Sequence, residues 1–191
     1  MVNVEIWASG AGSNADAIFT YFKDHPNINA CSLACNRKEA GAFNIAKKHG
    51  KPSYYWSKNN WNASSILTDL KSREIDFVVL AGFLKLVPEE VTTAFEGRIV
   101  NVHPSLLPKY GGKNMYGELV HKAVLAQKES RTGITIHEVN AEFDKGKLLA
   151  QFTTKLAENE DLAGIKAKIS ILEQVNFAPI IEAWIKSKTT Q

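Results

Sequence analysis

A chain of 191 residues, 45% apolar and 23% charged, carries enough apolar material for one packed domain of ordinary globular composition. The net charge of +3 comes with scattered lysines and no basic run, which gives no argument for a nucleic-acid partner and suits a small anionic ligand. No apolar run approaches the ~20 residues of a membrane span, and residues 1–8, short and bounded by Glu5 and Gly10, do not read as a signal peptide, so a cytoplasmic protein is expected.

Residues 2–8 carry β-branched and aromatic side chains and predict a buried first strand. The small-residue turn Ser9-Gly10-Ala11-Gly12-Ser13-Asn14 follows. From Asn14 to about Asp24, Ala17, Ile18, Tyr21 and Phe22 recur at helical spacing, with Ser13 or Asn14 suited to the N-cap. Strand, glycine turn and helix together offer unpaired backbone N–H groups and a helix dipole to an anion. Three readings of the turn compete. Gly10 to Ala15 fits the loose dinucleotide pattern G-x-G-x-x-G/A, but the second strand ends Cys35-Asn36-Arg37 without the acidic residue that would hold a ribose. A single phosphate monoester held by Gly12, Ser13 and Asn14 fits better. A tight turn that needs glycine only for its backbone angles is the third.

A second strand over 28–35, a helix over 39–49 ending at Gly50, a short strand over 52–56 and a helix over 62–71 with Ile66, Leu67 and Leu70 on its apolar face come next. Cys31 and Cys35 read as reduced, buried thiols, because two cysteines alone cannot complete a four-ligand zinc site. Residues 77–81 form a continuous apolar strand of the kind buried on both faces of a parallel sheet. The segment Ala81 to Pro88 could grip a flat heterocycle through apolar side chains and turn backbone, or could simply pack the core. Pro88 opens a short helix to about Phe95.

The strand over 98–103 runs into the stretch IVNVHPSLLPKY, residues 99–110. Strand side chains alternate, so Asn101 and His103 project from one face. Pro104 and Pro108 stiffen the loop beyond them. Thereafter a helix is expected over 116–127, and two strands over 132–139 and 147–155, antiparallel across the turn 140–146. A long helix over 161–186 has a stripe of Leu162, Ile165, Ile169 and Leu172, and Pro179 should kink it. The pattern predicts an α/β fold: one Rossmann-like, mostly parallel sheet flanked by helices, extended by a late antiparallel hairpin and closed by a long C-terminal helix. All of it forms a single domain over 1–191.

An amide and an imidazole at a strand's carboxyl end stand where open α/β sheets bind ligands. If the late hairpin packs beside that strand, Asp144 in its turn faces His103 and favours the protonated imidazole. Such a trio suits acyl transfer to an amine. Asn101 and His103 stabilise the oxyanion and His103 protonates the leaving nitrogen, with no covalent nucleophile and no metal required. His25, His49 and His121, in or beside helices, read as surface or packing residues; His137, on the face of Thr135, could line the site or be structural.

The turn G-x-G-S-N, the segment VVLAGF at 78–83, NVHPSLLPKY at 101–110 and D-x-G at 144–146 resemble the glycinamide ribonucleotide formyltransferases of the folate-dependent formyltransferase superfamily, over nearly the whole chain. The resemblance implies formyl transfer from 10-formyltetrahydrofolate to the amine of 5-phosphoribosyl-glycinamide in purine biosynthesis. Asn101, His103 and Asp144 would be catalytic. Gly12, Ser13, Asn14 and Glu173 would hold the ribonucleotide; Leu84, Lys85, Leu86, Val87 and Asn101 would contact the folate. The chain departs from the family at Leu84-Lys85, where Met-Arg is frequent, and at Ser170, where some members carry a lysine; Lys58 is a candidate second basic contact to folate. The resemblance implies small-molecule partners, with neither nucleic acid nor membrane, and leaves a homodimer open. Competing readings are a folate formyltransferase acting on a nucleotide sugar or on methionyl-tRNA, for which a further C-terminal domain is expected, and a non-catalytic module that binds a phosphorylated metabolite.

Overall fold

The computed structural model describes residues 1–189. Seven strands form one sheet in the order β3-β2-β1-β4-β5-β6-β7. The strands are β1 (Val2–Ala8), β2 (Ile28–Cys35), β3 (Ser53–Tyr55), β4 (Phe77–Leu80), β5 (Ile99–His103), β6 (Arg131–Glu138) and β7 (Leu148–Lys155). β1 to β5 are parallel, whereas β6 pairs antiparallel with β5 and β7 with β6. The order reverses between β1 and β4, and there the loops after neighbouring strands leave in opposite directions and open a crevice.

Alternation along β1 sorts two cores. Val4, Ile6 and Ala8 point to the face covered by α1 (Ser13–Tyr21), α2 (Ala42–Lys48), α5 (Glu118–Ala126) and α6 (Leu162–Thr189); Trp7 points to the face covered by α3 (Ala63–Ser72) and α4 (Glu89–Ala94). On the Trp7 face β1 also carries a fully buried carboxylate. Glu5 pairs with Arg73 at the end of α3 and accepts hydrogen bonds from Ser32 Oγ at 2.7 Å and Trp7 Nε1 at 2.8 Å. Burial pushes the Glu5 carboxyl up, and the Arg73 charge opposes it.

Local differences from the expected elements have local causes. Helix α1 begins at Ser13 behind Gly12, so neither Ser13 nor Asn14 is its N-cap: Gly12 takes the left-handed φ of 87° and no side chain caps the end. Asn62 lies outside α3 as its N-cap, its Oδ1 accepting from Ser65 N at 2.9 Å. Helix α2 starts at Ala42 rather than at residue 39, where the Ala42 N–H is taken by the Gly10 carbonyl of the glycine turn. Helix α6 runs on through Pro179 to Thr189, 28 residues in all and three past the expected end; the missing N–H at Pro179 leaves the Val175 carbonyl without its helical donor.

Candidate active site

A cleft of about 570 Å³ opens where the sheet order reverses. Ser13 and Asn14 of α1 and Ser170 and Glu173 of α6 form part of its wall. Gly82 to Val87, after β4, form another part. Asn101 and His103 of β5, His137 of β6 and Asp144 of the β6–β7 turn complete the polar lining. All the site residues named from the sequence line this cleft except Gly12, which sits one residue outside it, and Lys58, the candidate second basic contact.

The glycine turn is built for close approach. A Cβ on Gly12 would lie 2.8 Å from the Ala42 Cα, at a φ that L-residues rarely adopt. The first intrahelical bond, Asp16 N to Gly12 O, leaves the N–H groups of Ser13, Asn14 and Ala15 outside the helix ladder. Gly12→Ala is therefore expected to cost about 1–2 kcal/mol from backbone strain alone and to weaken anion binding by pushing α1 from α2. Thermal midpoints and phosphate-ester affinity check both. Asn14 Nδ2 donates to Glu173 Oε2 at 2.9 Å, while Asn14 Oδ1 is buried without a partner among the described residues. Burial pushes the Glu173 carboxyl up to about 7, with the Asn14 hydrogen bond opposing it.

Ser9, named from the sequence only as the start of the small-residue turn, ties the strand ends together. Its Oγ donates to Asn36 Oδ1 at 2.6 Å and accepts from Leu84 N at 2.9 Å, which fixes the start of the Leu84–Val87 segment against β1. Beside this segment Lys85 Nζ lies 4.8 Å from the Trp61 ring centre, with Lys58 close enough to depress its pKa after burial has done so. Apolar walls, open turn backbone and two ammonium groups fit a flat heterocycle with an anionic tail.

The register of β5 against β6 sets Asn101 opposite His137 and His103 opposite Thr135. His137 Nδ1 donates to the Glu138 carbonyl at 2.8 Å, so Nε2 accepts from Asn101 Nδ2 at 3.1 Å. That leaves one Asn101 N–H for a ligand. His103 Nε2 donates to the Tyr110 carbonyl at 2.8 Å, and His103 Nδ1 stands 3.4 Å from Asp144 Oδ1. The same Asp144 oxygen is 3.5 Å from His137 Nε2, and Asp144 Oδ2 accepts from Gly112 N at 2.8 Å. Close approach makes this possible: a Cβ on Gly146 would fall 1.7 Å from the Glu138 carbonyl oxygen, so only glycine lets the turn fold back over β6.

The expected direction of the His103 pKa shift needs correction. Asp144 does pull its pKa up, but burial is the larger effect, and the imidazole of the ligand-free protein lies below the ordinary histidine value. Burial also works to raise the Asp144 carboxyl, yet the nearby His137 and His103 rings and the Gly112 N–H hold it below the usual carboxylate range.

Behind the trio lies a network that the sequence did not announce. Thr135 Oγ1 donates to the Ser105 carbonyl at 2.7 Å and accepts from Leu107 N at 3.0 Å, and Gln151 Nε2 bonds both Thr135 Oγ1 and the Leu107 carbonyl at 2.9 Å. These bonds pin the His-Pro loop to β6 and β7. His49 pairs with Asp16 and His25 with Glu182, both in structural roles. His121, read as a packing or surface residue, is buried and lines the cleft. Both cysteines are free, Cys35 buried and Cys31 partly so. Among the described residues no cluster of His, Cys, Asp and Glu has the makings of a metal site, and no helix is long and apolar enough to cross a membrane.

Residues 2–180 match the model of the formyl transferase family. The chloroplastic phosphoribosylglycinamide formyltransferase of Arabidopsis thaliana is 39% identical over 162 residues, which is 81% of this chain and 56% of that protein. This chain likewise spans 59% of the Vigna unguiculata relative, so it covers little more than half the length of these plant proteins. The Bacillus subtilis phosphoribosylglycinamide formyltransferase is 29% identical over 95% of this chain and 94% of its own. The crystal structure of the Bacillus halodurans phosphoribosylglycinamide formyltransferase superposes with a TM-score of 0.85 at 31% identity, covering 97% of this chain and 96% of that one. With the sheet order, the His-Pro loop at the end of β5 and a match over almost its full length, the chain belongs to the formyl transferase family.

Proposed function

We propose that this protein transfers the formyl group of 10-formyltetrahydrofolate directly to the amine of 5-phosphoribosyl-glycinamide. One observation carries the reading: Asp144 stands 3.4 Å from His103 and 3.5 Å from the His137 ring to which Asn101 bonds, in a cleft that also holds an anion-binding helix end and an apolar segment suited to a flat heterocycle. Gly12, Ser13, Asn14 and Glu173 hold the ribonucleotide, and Leu84, Lys85, Leu86 and Val87 hold the pterin and its tail. Single-domain organisation over 1–191 and small-molecule partners belong to the same reading.

In the transfer, the substrate's amine lone pair forms a bond to the formyl carbon and the carbonyl electrons move to oxygen. The free N–H of Asn101 and the His103 ring stabilise that oxyanion in a site where water screens little. The oxyanion then collapses, the bond to the donor nitrogen breaks, and the imidazolium form of His103 gives its proton to the leaving nitrogen. The proton lost by the attacking amine restores the imidazolium. An α-amine has a reference pKa near 8, so a useful neutral fraction exists without a strong base. His103 Nε2 is engaged by the Tyr110 carbonyl, so release of that bond precedes its action. The segment that must move contains positive φ values at Tyr110, Gly112, Asn114 and Gly117, a concentration typical of functional loops.

Purified protein given both substrates should form product. Binding without turnover would favour a non-catalytic module instead. Asp144 is the neighbour that raises the His103 pKa against burial, so Asp144→Asn lowers it further. The alkaline limb of the kcat profile is expected at lower pH in that variant; an unmoved limb would break the proposed coupling.

A further inference from the structure

His121 has no part in the transfer chemistry, yet its surroundings are those of a ligand-binding group. It lies on α5 between the core residues Val120 and Val124, is 7% exposed, and its ring lines the cleft. Nδ1 is sealed from solvent without a hydrogen-bond partner, and Nε2 makes no hydrogen bond among the described residues. A neutral imidazole carries its proton on one of these nitrogens: Nδ1 is a buried polar atom left unpaired, and Nε2, which is not sealed, can present an N–H to the cleft. Native proteins rarely leave such a group unpaired, because desolvation without a partner is costly. An apolar side chain would fill the same place on α5 without that penalty.

The neighbouring groups say what the missing partner is. From α6, Lys166 lines the same cleft, one helical turn before Ser170. Lys166 bonds Glu118 at 2.7 Å, and Glu118, which also sits 3.6 Å from Lys122, lies on α5 one turn before His121. From β5, His103 is the remaining titratable group close enough to act on the ring. The α1 end adds the Ser13 and Asn14 N–H groups to the same cleft. An ammonium, an imidazole donor, two serine hydroxyls and helix-end N–H groups favour a phosphoryl dianion over a neutral sugar. The carboxylates beside them are already engaged, Glu118 by Lys166 and Glu173 by Asn14.

We infer that His121 is a direct ligand of the substrate's phosphate, donating a ring N–H to it with Lys166 as the neighbouring cation. This rests on the reading of the substrate as a phosphorylated ribosyl amine. Burial first, and then the Lys166 charge, keep the free imidazole below its ordinary pKa, with Glu118 opposing; a bound dianion works the other way. Phosphate binding near neutral pH therefore draws a proton onto His121.

The test uses ribose 5-phosphate and ribose as probes, with the His121 ring signals in the proton NMR spectrum identified by their loss in His121→Asn. Ribose 5-phosphate should shift these signals and move their titration to higher pH, while ribose leaves both unchanged. Absence of ribose 5-phosphate binding, or binding with unmoved His121 signals, overturns the inference. In steady-state kinetics, loss of a hydrogen bond to a charged group predicts that His121→Asn raises KM for the phosphorylated amine roughly ten- to hundredfold, with kcat falling far less. Equal weakening toward the dephosphorylated riboside would mark His121 as a packing residue and also overturn it. Wild-type turnover reads the proposed reaction separately. Turnover with unmoved His121 signals removes this inference alone, and shifted signals without turnover remove the reaction alone.

Discussion

His103→Ala is expected to lower kcat by about 10²–10⁴-fold, the usual worth of a positioned general acid, with little change in affinity for the ribonucleotide. The ring does two things that alanine cannot. It stabilises the developing oxyanion, and it supplies the proton without which the donor nitrogen leaves as a poor, anionic group. His103 is nearly fully buried and its polar partners are Tyr110 and Asp144 rather than the Ser13–Asn14 end of α1, so ribonucleotide binding should survive. The variant also leaves Asp144 with the Gly112 N–H and the His137 ring for company, so its charge is not stranded. Single-turnover rates with calorimetric affinities make the check. Normal turnover with lost affinity would reverse the roles assigned here.

The second large effect lies far from the cleft. Arg73→Ala should lower stability by about 3–5 kcal/mol, the usual cost of breaking a buried ion pair from one side, which is about 10 °C in thermal midpoint for a chain of this size. Glu5 is wholly enclosed under the sheet, and Arg73, stacked 3.9 Å from the Tyr54 ring centre, is its one compensating charge among the described residues. Without the guanidinium the carboxyl must keep a proton or unfold its surroundings. The folded-state pKa then rises further above the unfolded value, so the lost stability grows as pH increases. A double variant, Glu5→Gln with Arg73→Met, should recover part of the loss because no charge is left buried. Matching midpoints for the wild type and Arg73→Ala would count against any structural weight for the pair.

The candidate site was unevenly legible. Asn101 and His103 could be placed together from the strand period of two, and the two prolines after them marked where the strand gives way to a loop. The glycine turn could be read as an anion-binding helix start because it follows a strand and precedes helical spacing, although Gly12 rather than Ser13 or Asn14 proved to be the cap. Asp144 could be named only on the condition that β6 lies beside β5, and the pairing of Asn101 with His137 meets that condition. Ser9, Thr135 and Gln151 gave no signal. Short polar residues are common at strand ends and turns, and their value here lies in partners that stand 16 to 75 residues away along the chain.

By itself, then, the amino-acid sequence determined the succession of strands and helices, the turns that demand glycine, and the side-by-side amide and imidazole at the end of β5. These are consequences of local geometry: side-chain period, proline's fixed φ and the freedom glycine lacks a Cβ to restrict. Tertiary structure alone decided which way the His103 pKa moves, because burial outweighs the carboxylate beside it and burial is a property of everything packed around the ring. It also decided that His121 faces the cleft, since its place depends on α5 settling against α6, through contacts such as Lys166 with Glu118 that join residues 48 apart in the chain.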